Sequence, residues 1–301
     1  MSNPQHFDVI ILGTGPAGLQ AAIHAARRKV SVLVLGKETK SSLFSAHIEN
    51  FCCIFKLSGE EMITTGRQQA ANFGARFMAQ DVLSISPLDK GFEIKVESGD
   101  TLETQSLIIA TGTQRKRLGA KGEKELLGKG VSYCVDCDGN FYRNQDVAVV
   151  GGESAAVDGA LTLTQIARSV HLVYDKLEVA DDLKAKLDSS SVICHPGVKV
   201  ERIEGESEVH TLVLDDGQRL DVTGVFIEQG AKGIMELATV LGIMLDDDMK
   251  YIAADKKQAT NISGIYAAGD VCGPPWQMAK AVGEGCVAGL NAAKFAKRIR
   301  S

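Results

Sequence analysis

Apolar runs recur along the chain in a fixed order: a short strand, a glycine turn, an alanine-rich helical stretch and a second apolar strand. Residues 8–12 (Asp8-Val9-Ile10-Ile11-Leu12) read as the first strand, 19–28 as the helix and 30–35 as the next strand. The same order returns at 146–150, 157–168 and 170–174, with Gly151-Gly152 at the turn. Short continuous apolar runs bounded by turn signals fit strands buried on both faces. Each half later carries an alternating hairpin, turned at Ser98-Gly99-Asp100 and at Asp215-Asp216-Gly217. Each hairpin leads into an apolar strand ending near glycine, at Ile109-Ala110-Thr111-Gly112 and at Ile227-Glu228-Gln229-Gly230. Strand–helix–strand alternation predicts parallel sheets covered by helices. The expected fold is therefore α/β, with two doubly wound, Rossmann-like nucleotide-binding units. Polar or glycine-containing linkers are expected at 114–118 and 231–237.

The first turn carries chemistry. Gly13-Thr14-Gly15-Pro16-Ala17-Gly18 lies between a strand and a helix, the context in which a G-x-G-x-x-G pattern binds a dinucleotide. The first glycine allows the tight turn, the second lets backbone approach a pyrophosphate, and the third lets helix and strand pack closely. The helix N-terminus then offers unpaired N–H groups to the anion. Glu38 follows at the distance where an acid bonds a ribose diol.

A second signal is Cys134-Val135-Asp136-Cys137, just before the second repeat. Such a pair beside a βαβ pattern is redox-active or metal-binding. Cys52, Cys53, Cys194, Cys272 and Cys286 form no second pair at ligand spacing, and structural zinc needs four ligands. A dithiol exchanging with a substrate disulfide fits better. Asp138 follows directly, placed to move the proton that exchange requires.

Composition narrows the setting. The formal charge of −5 over 301 residues gives no overall attraction for nucleic acid, and no apolar run approaches the ~20 residues of a bilayer span. Seven cysteines, an odd number, with no basic-then-apolar leader at 1–6, point to a reducing cytoplasmic setting.

Together these motifs resemble the low-molecular-weight thioredoxin reductases over nearly the whole chain. The resemblance rests on Gly13 to Gly18, Ile48-Glu49-Asn50, Ile109-Ala110-Thr111-Gly112, Cys134-Val135-Asp136-Cys137-Asp138-Gly139, Asn140-Phe141-Tyr142-Arg143-Asn144 and Ala268-Gly269-Asp270. It implies a homodimer with FAD, its flavin domain discontinuous (1–115 and 238–301) and the disulfide domain (118–236) inserted. It implies FAD contacts from Gly13, Gly15, Pro16, Ala17, Gly18, Gly36, Glu38, Leu43, Asn50, Ala110, Thr111, Gly112, Gly269, Asp270, Gln277 and Met278. It also implies Cys137 as the thiol facing the flavin, Cys134 as the one attacking a thioredoxin-like partner, and Asp138 as acid/base. In the family, the inserted domain swings to let its disulfide and its nicotinamide site use the flavin in turn.

The second repeat departs from the family at both places where NADPH is held. Glu153 stands at the second glycine position, where a side chain and a negative charge oppose a pyrophosphate. Tyr174-Asp175-Lys176 stands where the family reads the 2′-phosphate with cations. The sequence thus resembles the family's NADPH-independent members, some of which take electrons from ferredoxin. Arg115-Lys116-Arg117 and Lys294, Lys297, Arg298 and Arg300 are candidate docking charges, or simply a solvated face. A conventional NADPH- or NADH-dependent reductase, and a flavin-bound redox sensor without turnover, remain as alternatives. Further departures are Ser41-Ser42, Trp276 beside the expected flavin (stacking or core), and Cys52-Cys53. The last pair is expected to be buried small apolar residues, with a second redox centre as the rival role; Cys272 is expected to be buried.

Overall fold

The computed structural model describes residues 4–112, 117–230 and 240–300. They separate into two compact units, one on residues 4–96, 100–112 and 240–300, the other on 117–230 with 97–99. The expected linker at 231–237, most of that at 114–118, and the boundaries at 115, 236 and 238 lie outside the described residues.

The first unit is built on the strand Gln5–Leu12, whose Ile10 and Ile11 are fully buried. It pairs in parallel with Val32–Leu35 on one side and Thr101–Ile109 on the other. Val32–Leu35 continues to Arg76–Met78, and Thr101–Ile109 continues through an antiparallel meander of Gly91–Val96 and Val82–Leu88. The late strand Ile265–Ala267 also pairs in parallel with Thr101–Ile109, at Ile265↔Leu107 to Ala267↔Ile109. Helices α1 (Pro16–Arg27) and α2 (Gly59–Asn72) belong to the same unit.

What α1 buries is mostly alanine: Ala17, Ala21, Ala22, Ala25 and Ala26. The C-terminal helix, Met278–Arg300, matches it with Ala281, Ala288, Ala292 and Ala293. Small residues on both faces let the helices approach closely. At Gly289 an added Cβ would stand 2.3 Å from the Ala21 carbonyl oxygen. Gly289→Leu is accordingly expected to destabilise this unit by roughly 1–3 kcal/mol, seen as a lower denaturant midpoint.

The second unit has a five-stranded parallel sheet ordered Ile193–Pro196, Ser169–Tyr174, Asp146–Val150, Gly224–Ile227 and Val131–Ser132. A three-stranded antiparallel sheet (Val200–Glu204, Thr211–Leu214, Arg219–Asp221) packs with it through Leu212 and Leu214. Among the described residues its helices are α3 (Val135–Asp138), α4 (Ser154–Leu163) and α5 (Asp181–Asp188). The C-terminal helix Met278–Arg300 is α6. Helix α4 stops at Leu163 rather than at 168. The Thr164 hydroxyl bonds the Leu161 carbonyl at 2.6 Å, and Arg168 N–H is taken by Gln145 O at 2.8 Å, which peels the chain off the helix.

Candidate active site

In the first unit, Gly13 takes φ +115°, and a Cβ there would stand 2.2 Å from the Ala110 carbonyl oxygen. A Cβ on Gly18 would stand 1.9 Å from Gly13 O. The protein's own packing requires both glycines. Gly15 differs. Its backbone is extended (φ −76°, ψ −176°), and among the described residues a Cβ there meets only the Ser41 hydroxyl, at 3.5 Å. Glycine at 15 therefore keeps space open in front of α1, whose N-terminus has no side-chain cap. Pro16, lacking an N–H, begins the helix at no cost to its bonding.

Other expected residues belong to the same unit. Gly36 ends its strand beside Thr14, and Ala110 N–H donates to Leu12 O at 2.8 Å. Thr111 and Gly112 follow. Leu43 N–H donates to Ser41 Oγ at 3.4 Å. The Asn50 amide donates to Gln277 Oε1 at 3.0 Å, and Met278 opens α6. Gly269 lies against Ala17, where its Cβ would come within 2.9 Å. Lys280 Nζ donates to the carbonyls of Gly269 and Gly273 at 2.9 and 2.8 Å. Glu284 accepts from Gly269 N–H at 2.8 Å and pairs with Lys280 at 3.1 Å. That clamp holds the loop bearing Asp270, whose carboxyl is raised above its ordinary value by burial against the pull of Lys280. Among the described residues no group donates a hydrogen bond to the Asp270 carboxylate. Glu38 is ion-paired with Arg67.

In the second unit, Cys134 and Cys137 are joined as a disulfide, with Cα atoms 5.3 Å apart. Cys134 caps α3, its Sγ accepting from Cys137 N–H at 3.1 Å. Cys134 is buried and Cys137 half-buried. Ser132 links the pair to the acid: it accepts from Cys134 N–H at 3.1 Å and its hydroxyl donates to Asp138 Oδ2 at 2.6 Å. Behind the pair, the buried Glu228 accepts from Val135 N–H at 2.9 Å. Ser132→Ala should free the Asp138 carboxylate and slow thiol–disulfide exchange about fivefold, read by single-turnover reduction of a protein disulfide.

The second unit's turn, Gly151-Gly152-Glu153-Ser154-Ala155-Ala156, keeps the first glycine and the alanine of the first turn and differs at the other four positions. Glu153 caps α4 in the same extended conformation as Gly15 (φ −108°, ψ −179°). Ala155 N–H, in the first turn of α4, donates to Gly230 O at 3.4 Å. The Lys176 carbonyl packs on Gly152, where a Cβ would come within 1.8 Å, and Glu178 N–H bonds Gly152 O at 2.7 Å. Asp175, at the strand end, pairs with Lys199 at 3.3 Å.

A family model described as pyridine nucleotide-disulphide oxidoreductase matches residues 7–285. The chain belongs to that family. Among its relatives, the thioredoxin reductase of Listeria monocytogenes is 33% identical, over 99% of this chain and 97% of that one. The crystal structure of the atypical thioredoxin reductase from Desulfovibrio vulgaris Hildenborough superposes with TM-score 0.86 at 33% identity, covering 97% of this chain and 98% of that one. A ferredoxin-flavin thioredoxin reductase from Clostridium acetobutylicum superposes with TM-score 0.73 at 32% identity, covering 98% and 100%. This family member is a thioredoxin reductase-like flavin oxidoreductase.

The family implies FAD, and the first unit fits it. Among the described residues the space before α1 is held open by a glycine that no neighbour demands, and none donates to the Asp270 carboxylate. Two expectations are corrected. Cys52 and Cys53 are exposed, because their loop turns outward with Cys53 at φ +70°. Trp276 is 59% exposed and so no core residue. Cys272, expected to be buried, is half-buried, and the desolvation pushes its thiol up to about 12. Of the candidate docking charges, Arg115 and Lys116 lie outside the described residues. Lys297, Arg298 and Arg300 form the last turn of α6, where cations meet the helix dipole, and Arg300 pairs with Asp8 at 3.4 Å. Among the described residues no helix is long and apolar enough to cross a membrane.

Sequence reasoning missed Ser132, Glu228, Lys280 and Glu284. Only Lys280 and Glu284 carried a signal, an i,i+4 charge pair just after the Gly269-Asp270 motif.

Proposed function

We propose that this chain reduces a thioredoxin-like protein through FAD and the Cys134–Cys137 disulfide, with a ferredoxin-type protein rather than NADPH as its electron donor. The observation that carries the donor reading is Glu153, which holds at α4 the backbone position that Gly15 keeps empty at α1. A carboxylate there repels a diphosphate, and the Gly230 carbonyl already takes one first-turn N–H. Asp175 adds a second negative group where a 2′-phosphate would have to be read. Likeness to a ferredoxin-flavin thioredoxin reductase supports the same choice.

When bound, FAD supplies the electron pair that opens the disulfide. The sixteen residues around the Gly13 turn, Asn50 and Asp270 would hold it. Cys137 is the sulfur we assign to face the flavin, and Cys134 the one that attacks the partner's disulfide. Cys134 thiolate displaces one partner sulfur, forming a mixed disulfide. Cys137 thiolate then attacks Cys134 Sγ, releasing the second partner thiol and restoring the intramolecular bond. Asp138, oriented by Ser132, takes and returns the proton. Cys134 is buried, so its exposure has to precede attack; a swing of the disulfide unit would provide it, in a homodimer of the family's kind.

Anaerobic titration of the flavin tests the donor. Reduced ferredoxin should bleach it, whereas equimolar NADPH or NADH should leave it oxidised over the same time. Rapid bleaching by stoichiometric NADPH would overturn the reading.

A further inference from the structure

We propose that Cys52 and Cys53 form a redox modification site, closing to a vicinal disulfide in exchange with low-molecular-weight disulfides. The two sulfurs lie 3.5 Å apart on an exposed loop. Neighbouring side chains of an extended segment point to opposite sides. Here Cys53 sits at φ +70°, a left-handed conformation uncommon for a residue with a Cβ, and the turn brings both thiols to one side. The disulfide-bonded Cys134 and Cys137 lie elsewhere in the chain, so the pair is unused by the proposed reaction.

The chemistry balances in two displacements. One thiolate of the pair attacks a sulfur of R–S–S–R and releases R–S⁻. The neighbouring thiolate then attacks the protein sulfur of that mixed disulfide and expels the second R–S⁻. Two protein thiols have lost two electrons and two protons, and two small thiols have gained them. Adjacent Cα atoms stand about 3.8 Å apart, less than the ~4.4–6.8 Å that disulfides ordinarily span. The closed ring is therefore strained, and strained, exposed disulfides are the easily reduced, reversible kind.

The test uses the full-length flavoprotein with glutathione disulfide, followed by peptide mass mapping. The peptide spanning 51–56 should become lighter by two hydrogens with no glutathione retained, and recover on adding a thiol. In Cys53→Ser the same peptide should instead keep one glutathione, because the resolving thiol is gone. Phenylarsine oxide, which binds two thiols at once, should slow alkylation of Cys52 at least about tenfold more in the wild type than in that variant. Cys53→Gly, which suits the positive φ, controls for folding by its melting temperature. A wild-type peptide that keeps both thiols, or accumulates glutathione without closing, overturns the proposal. The readout is independent of which donor reduces the flavin.

Discussion

Gly15→Glu is expected to strip the protein of its flavin. At position 15 the structure has room for a Cβ, with only the Ser41 hydroxyl, among the described residues, 3.5 Å away, so the fold should survive the change. What cannot survive is the approach of a diphosphate to α1. A carboxylate about 4 Å from a phosphate charge near a protein surface is worth roughly 4 kcal/mol of repulsion. That corresponds to about a thousandfold loss of affinity. The measurement is the flavin-to-protein absorbance ratio after purification, with FAD titrated into the apoprotein and circular dichroism as the folding control. The variant copies into the first unit the feature that Glu153 gives the second. Normal FAD binding by Gly15→Glu would remove the physical basis for excluding NADPH.

Asp138→Asn should slow reduction of the partner disulfide by about a hundredfold or more, the lower range for a lost general acid–base group. Asparagine keeps an oxygen to accept from the Ser132 hydroxyl, now 2.6 Å from Asp138 Oδ2, so the local geometry persists. Lost proton transfer is then the expected cause. Single-turnover mixing of pre-reduced enzyme with an oxidised thioredoxin, run beside Asp138→Glu, separates this from a packing defect. The longer carboxylate should recover part of the rate, whereas a packing defect would be no better in Asp138→Glu than in Asp138→Asn. An unchanged rate would remove Asp138 from the proton path.

The outlines of fold and site were legible where a local pattern has one physical solution. Gly18 is forced by the Gly13 carbonyl of its own turn and Gly13 by its positive φ, so their spacing announces strand, turn and helix together. The same logic made Glu153 visible as an exception. Contacts across elements were not legible. Glu228 meets Val135 from 93 positions away, and nothing in either segment announces the pairing. Ser132 is six positions from Asp138, and only the bend into α3 turns its hydroxyl back toward the acid. Cys52 and Cys53 misled for another reason. Cysteine is among the most buried residue types on average, and that average cannot see a loop that turns outward. The early end of α4 was hidden because it depends on Gln145 capturing Arg168 N–H.

The pairing of Ile265–Ala267 with Thr101–Ile109, and of α6 with α1, sets an order for biogenesis. As the ribosome delivers the chain, the parallel sheet of residues 131–227 has all its strands long before Ile265 emerges. The outer unit must wait, its alanine face on α1 and one edge of its first sheet uncovered. In the cell the middle of this polypeptide matures first, and its two ends are the stretch that chaperones have to shield until translation finishes.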